Sequence, residues 1–473
     1  MTTPQALMML LIWPIVVSVM FNRLPRQQAI IWSILAGYLV LPPVAEIDLP
    51  LFPSLNKAII PALSAAFFNM LKKDEALIAE PPRYSGPVTL FLGMLLIAPI
   101  LSALTNPDAL IEGVSVRPGI TLSQAIGESM LVFAHLVPFA LGYKYLSNPQ
   151  GMSLLVRGLV LALLVYSLPM MVEVRLSPQI NVWVYGYFQH DFVQTMRYNG
   201  FRPIVFLEHP LWVAFLCMTA LLCAIALTRV IRNGKWYAIS GYLMMMLVMC
   251  KSMGVLLQFT IAAPLLWLAR PRQIIFAAML LGVAVCAYPV VRAQPWMPIE
   301  KIVATTNGAD ADRGQSLEFR LLNETRLLQR ALERPAFGWG GWGRPLIVDP
   351  ATARYETITD GEWIRLLGER GIFGFVAEFG LLLLPLFLLW RNWPRERRGR
   401  LSEEDMAIAV VALVMGLNMV DLIPNATITP ISWLMTGMLA GSAVRMREGN
   451  YFTNSRILPA KTLSKRTELT SLI

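Results

Sequence analysis

The sequence predicts an all-α polytopic membrane protein with about 12–13 transmembrane helices and one large external loop carrying amphipathic helices. Three observations carry that expectation. The 473-residue chain is 56% hydrophobic and only 15% charged, where a soluble domain is ordinarily ~45–50% apolar and ~25% charged. The apolar residues fall in repeated runs of roughly 17–25 residues, enough helix to cross a ~30 Å hydrocarbon core. The runs are continuous rather than alternating, which selects helices over a closed barrel, the only other structure that satisfies its backbone groups in lipid.

Taken in order, spans are expected at about 5–21, 28–44, 57–71, 87–105, 120–143, 154–172, 207–228, 237–250, 254–269, 273–290, 372–390, 406–422 and 428–445. The first run follows MTTPQ, with no basic stretch before it and no small-residue cleavage site after it, so it reads as a retained span. Pro61 interrupts the third run and the eighth is short, so losing either changes the count.

Connectors alternate in character. Arg23 and Arg26, then Lys72, Lys73 and Arg83, then Lys144, then Arg229, Arg232 and Lys235, then Arg270 and Arg272, then RNWPRERRGR (391–400) form the basic set. All of them fall on one side if the N-terminus is outside, and the positive-inside rule makes that side the cytoplasm. Residues 1–290 then hold the first ten spans, with an external segment at 173–206. Residues 291–371 form a large periplasmic loop, 372–445 the last three spans, and 446–473 a basic cytoplasmic tail, expected to be disordered from about Asn454.

Composition excludes several classes. The net charge of +10 sits in short connectors and the tail, where orienting charges belong, so no nucleic-acid partner is expected. Cys217, Cys223, Cys250 and Cys286 lie in or beside apolar runs without ligand spacing and read as small buried residues. With only His135, His190 and His209 in the chain, a multi-histidine metal site is not expected. No internal repeat of the kind that builds many transporters is visible.

The chemistry concentrates in 316–374. Leu317, Leu321, Leu328 and Leu332 recur at helical spacing, with Arg326 and Arg330 four apart on another face. Ser316 is the expected N-cap and Pro335 the stop. An amphipathic helix of this kind lies along an interface, its arginines meeting lipid headgroups. The Gly338-Trp339-Gly340-Gly341-Trp342-Gly343 stretch lacks the strand before it and the Lys-Ser/Thr after it that a P-loop needs, so a tight turn with interfacial tryptophans is expected.

Thr359 with Glu362 reads as a capping box opening the next helix. Asp360 between them has no such structural duty beyond a favourable place at a helix N-terminus. A second cluster, Arg202, Glu208 and His209, stands at the mouth of the seventh span, where ionisable groups are costly unless paired or functional. An Arg202–Glu208 pair anchoring the helix end is the plain structural expectation for it. Lys251-Ser252 adds a basic point in a very short connector.

GFRPIVFLEH before a span, the KS turn, the R-x14-P-x2-G-x-G pattern (Arg320, Pro335, Gly338, Gly340) and TDGEWIRLLGERGIFG together resemble the bacterial O-antigen ligase/polymerase superfamily of integral membrane glycosyltransferases. The resemblance covers about residues 195–390. It implies an enzyme of the inner membrane whose site faces the periplasm, working without metal or other cofactor. The implied donor is an undecaprenyl-diphosphate-linked oligosaccharide and the partner substrate a glycan acceptor. Membrane lipid surrounds it, and polysaccharide chain-length or export proteins are candidate partners.

By the same resemblance, Arg202 and Arg320 hold the diphosphate and Lys251 matches a further basic position. Where ligases carry a catalytic histidine, this chain has Asp360-Gly361. A base must take the proton of the acceptor hydroxyl, and Asp360 is the first candidate, Glu208 the second and His209 the third. Polymerisation of exopolysaccharide, capsule or O-antigen repeat units is therefore the first expectation. Transfer of a finished glycan to lipid A-core or another acceptor is the alternative. A transporter or flippase of lipid-linked glycan is more distant, supported by Glu128 and His135, seven residues apart on one face of the fifth span.

Overall fold

The computed structural model describes residues 3–48, 53–72, 80–294, 311–394 and 401–452. Lys73, part of the outer loop (295–310), part of the 391–400 basic connector and the tail from Asn454 lie outside them.

A helix stands at each of the thirteen expected spans. These are α1 (Pro4–Arg23), α2 (Arg26–Val40), α3 (Ile60–Leu71), α4 (Gly86–Leu104), α5 (Leu122–Leu141), α6 (Pro149–Leu176), α8 (Pro210–Ile231), α9 (Gly234–Met249), α10 (Met253–Leu268), α11 (Pro271–Arg292), α13 (Glu362–Asn392), α14 (Glu403–Asp421) and α15 (Pro430–Arg447). Two more, α7 (Ile180–Tyr185) and α12 (Ala311–Leu332), belong to the segments expected outside the spans. Among the described residues, seven helices are long and apolar enough to cross a membrane: α1, α4, α5 with the π-turn that extends it, α6, α8, α11 and α13. α3 and α10 are apolar but shorter. The chain is thus a multi-pass membrane protein by the length and composition of these helices.

The centre of the bundle is α8, α14 and α15, whose residues are mostly buried on all sides. Small residues let neighbouring backbones close in, as they do where lipid offers no hydrophobic drive to packing. At Gly437 of α15 an added Cβ would meet the Phe139 carbonyl of α5 at 2.0 Å, and at Gly416 of α14 the Ala278 backbone of α11 at 2.9 Å.

The connectors separate cleanly into two ends. At one, basic side chains cap helix C-terminal carbonyls, a favourable pairing with the helix dipole. Arg229 Nη1 donates to Leu266 O and Ala269 O at 2.6 Å, and Lys72 Nζ to Leu24 O at 2.8 Å; Arg445 Nη2 ties the α3–α4 connector through Glu80 O at 2.8 Å. At the other end lie three two-stranded antiparallel hairpins: β1–β2 (Glu46–Ile47, Leu55–Asn56), β3–β4 (Leu110–Glu112, Ser115–Arg117) and β5–β6 (Met196–Arg197, Gly200–Phe201). They share this end with α7, α12 and the 333–361 loop. Arg117 of β4 reaches Leu346 O at 2.8 Å, and Arg344 reaches Pro118 O at 2.6 Å, tying the loop to the α4–α5 connector.

Several local expectations are corrected. α12 starts at Ala311, so Ser316 is inside the helix and not its N-cap. Its buried stripe runs through Leu327, Leu328 and Ala331, while Leu332 is 55% exposed. Arg326 and Arg330 meet acids of the chain itself rather than standing free for headgroups. Arg326 pairs with Glu356, and Arg330 with Glu112 at 2.6 Å and Glu333 at 2.9 Å. Only one tryptophan of the Gly/Trp turn is outward-facing. Trp339 is buried, its ring stacked under Arg330 (3.7 Å) and Arg334 (4.3 Å), while Trp342 is exposed.

The capping box at Thr359 and Glu362 is also overturned. The N-cap of α13 is Gly361, with no side-chain cap. The Glu362 carboxylate turns down the helix to Arg365 (Nε–Oε2 3.0 Å), and its backbone N–H donates to Leu422 O at 3.0 Å.

Candidate active site at the hairpin-bearing end

The site is built around hairpin β5–β6. Tyr198 and Asn199, at φ +49° and +53°, form its two-residue turn, the twist-matched geometry of tight hairpins. From the hairpin the chain runs through Arg202 to His209, the N-cap of α8. Glu173 at the end of α6 holds this run in place. Fully buried, its carboxylate accepts the N–H groups of Ile204 and Val205 at 2.8 Å and of Ile180 at 3.0 Å. Val205 is thereby kept at φ +52°, a conformation a β-branched residue adopts only when its surroundings impose it.

Arg202 is 3% exposed. Its Nε donates to Cys250 O at 3.3 Å and its Nη1 to Gln194 O at 3.5 Å, while its Nη2 has no partner. It makes no pair with Glu208, contrary to the structural expectation. Burial and the neighbouring Arg197 pull its pKa down to about 10, which leaves it cationic at neutral pH. Beside it, Lys251 sits at φ +50° and donates from Nζ to Arg197 O at 3.2 Å. The Ser252 hydroxyl is buried and, like Arg202 Nη2, without a partner.

His209 stands among these cations. Its Nδ1 accepts the Leu211 N–H at 2.9 Å, and its Nε2 lies 3.3 Å from Gln194 Oε1, with the His190 ring 4.7 Å away. Burial, His190, Arg202, Arg320 and Arg197 push its pKa down to about 3. The ring is therefore neutral with the proton on Nε2, so it presents a donor and no free acceptor. From α12, Arg320 approaches and its Nε lies 3.5 Å from Asp360 Oδ2, both side chains being 42% exposed. Arg202, Lys251, Arg320, His209 and Asp360, drawn from four separate stretches of chain, thus gather at one end of the bundle.

Glu208 faces elsewhere. Its charge acts on Lys57, Tyr38 and Tyr187. Lys57 is a buried lysine that the span pattern had absorbed into the third run. Its Nζ donates to Phe206 O at 2.7 Å and lies 5.1 Å over the Tyr38 ring. Burial brings its pKa down to about 8 against the opposing effect of Glu208. The signal that could have found it was an ionisable group at the edge of an apolar run. Glu173, directly after the sixth run, carried the same signal, whereas Gln194 and Arg197 did not, because their importance lies in contacts made only by the folded chain.

Glu128 and His135 do share a face of α5, and it borders a cavity of about 430 Å³ between α4, α5, α13 and α15. Neither a protein-family model nor a curated protein matches this chain.

Proposed function

We propose that the protein is a metal-independent membrane glycosyltransferase that polymerises undecaprenyl-diphosphate-linked repeat units at the periplasmic face of the inner membrane. One observation carries the reading: Arg202 is buried, cationic and left with an unpartnered Nη2. A guanidinium taken out of water costs free energy unless an anion and good hydrogen bonds compensate it. A diphosphate supplies both, because the planar fork matches two phosphate oxygens. Lys251 and Arg320 add charge around the same point. The basic connectors at the opposite end support the periplasmic side for this one.

In this reaction the acceptor hydroxyl oxygen attacks the anomeric carbon of the donor. The bond from that carbon to the diphosphate breaks, and the leaving group departs with the electron pair. Asp360 takes the hydroxyl proton. Arg202, Arg320 and Lys251 face the negative charge that grows on the leaving oxygen, the interaction that most lowers such a barrier. His209, neutral and with its Nδ1 already engaged, donates from Nε2 rather than acting as base. Glu208, turned toward Lys57, is second to Asp360 for that role.

The test is deletion of the gene followed by examination of surface glycan on gels. Single repeat units on the final acceptor are expected, because polymerisation is lost while transfer continues. Full-length chains that remain on undecaprenyl diphosphate would instead make the protein a ligase and contradict the polymerase reading.

A further inference from the structure

We infer that the cavity between α4, α5, α13 and α15 is a saccharide-binding site that holds the acceptor glycan. This rests on the glycosyl-transfer reading above. The cavity is about 430 Å³, inside the ~300–1,000 Å³ range of small-molecule sites. Charge walls much of it. Glu362, Arg365, Glu369, Arg370 and Glu378 all come from α13, and Glu128 faces them from α5.

These groups are arranged in pairs. Arg365 bridges Glu362 (3.0 Å) and Glu369 (2.5 Å), and Arg370 lies 3.7 Å from Glu128. Donors and acceptors therefore alternate along the wall. Ionised carboxylates keep lone pairs beyond those their arginines use, and each sugar hydroxyl both donates and accepts. A phosphate would confront the carboxylates of Glu128, Glu362 and Glu369 against two guanidiniums already paired to them, and an alkyl chain would leave those charges without water or replacement hydrogen bonds. A neutral polyol meets neither objection.

A second observation points the same way. Trp342 lines the cavity, is 66% exposed and is held at φ +61° between flanking glycines. A non-glycine residue in that region stores strain that persists only where the surroundings enforce it, commonly at ligand clamps. Trp433 lines the cavity from α15. Broad aromatic faces of this kind match the C–H face of a pyranose, while the carboxylates and arginines take its hydroxyl edge.

Position assigns the cavity to the acceptor rather than the donor. Arg202, Lys251 and Arg320 do not line it, whereas Glu362, two residues beyond Asp360, does. Asp360, 3.5 Å from Arg320 and two residues before Glu362 of the cavity wall, thus links the phosphate-binding cations to this space.

The experiment uses the full chain in detergent, titrated with oligosaccharides released by mild acid from the producing cell's own surface polysaccharide. Binding is read by tryptophan fluorescence and saturation-transfer NMR. Trp342 and Glu128 are sufficiently exposed that Trp342→Ala and Glu128→Gln leave the fold intact. Each is expected to weaken saturable binding by about tenfold, with Arg320→Ala within about twofold of wild type. No saturable binding by the wild type, or unchanged affinity in both cavity variants, overturns the inference. A wild type that binds the oligosaccharides yet transfers nothing from a lipid-linked donor keeps the saccharide site and overturns the transfer reading instead.

Discussion

Arg202 decides most of the chemistry, and it does so through what it lacks. A buried guanidinium ordinarily has its nitrogens satisfied, whereas Nη2 here has no partner. Arg202→Ala should lower kcat/KM by about 10²–10³-fold, the scale of losing one donor to a developing oxyanion. Arg202→Lys should recover little, because an ammonium cannot form the fork. Arg320→Ala, at a half-exposed position, should lose activity with membrane expression unchanged; wild-type rates in that variant would remove the diphosphate clamp.

His209 yields a different prediction. Its folded pKa of about 3 lies below the ~6.5 of a free histidine, so the unfolded chain binds the proton first as pH falls. The stability associated with the neutral ring is complete above about pH 6.5 and declines progressively toward pH 3. His209→Asn retains an N-cap acceptor and cannot titrate, so its thermal midpoint should fall less than that of wild type between those pH values. Equal pH dependence in both proteins would show that His209 is not the titrating group.

Among the elements, α13 shows how a sequence motif becomes geometry. Gly371 breaks the helix at φ +63°, ψ −164°, and the loop enters the gap: Ile372 N donates to Pro335 O at 2.7 Å and Phe373 N to Ala336 O at 3.1 Å. A Cβ at Gly371 would meet the Ala336 carbonyl at 2.5 Å. Gly371→Ala should therefore destabilise by more than ~1 kcal/mol, where a glycine in a permissive place would gain stability from the same change, since both φ and space forbid it. A lowered thermal midpoint and detachment of the 335–340 turn, read as increased protease cleavage there, are the expected signs. The capping expectation failed at the start of α13 for a separate reason: the Glu362 N–H donates to the Leu422 and Asn425 carbonyls, so the Glu362 carboxylate is released to pair with Arg365.

For the whole molecule, the separation of basic connectors from hairpins and loops is the feature with a direct test. Cys217, Cys223 and Cys250 are buried and Cys286 is half-buried, so in a Cys286→Ala background an introduced surface cysteine dominates labelling by a membrane-impermeant maleimide. Tyr355→Cys, at the hairpin-bearing end, should label from the periplasm, and Lys235→Cys, at the basic end, only after lysis. The reverse pattern would move the site to the cytosol, where an undecaprenyl-linked repeat unit is not polymerised on the proposed scheme.

The positions of the helices were readable from residue order, because bilayer thickness and backbone hydrogen bonding act along a single segment and leave a continuous apolar run as their record. Arg202 stood out as an ionisable group at the edge of such a run, Asp360 as an acid with no capping duty of its own, and Arg320 only through the family resemblance. Partners were not readable. That Arg202 meets Cys250 and Gln194 rather than Glu208, that the charge of Glu208 acts on Lys57, and that four helices enclose a charged cavity all depend on side chains far apart in the chain. Only packing brings those together, and no one-dimensional pattern encodes which buried charge will face which.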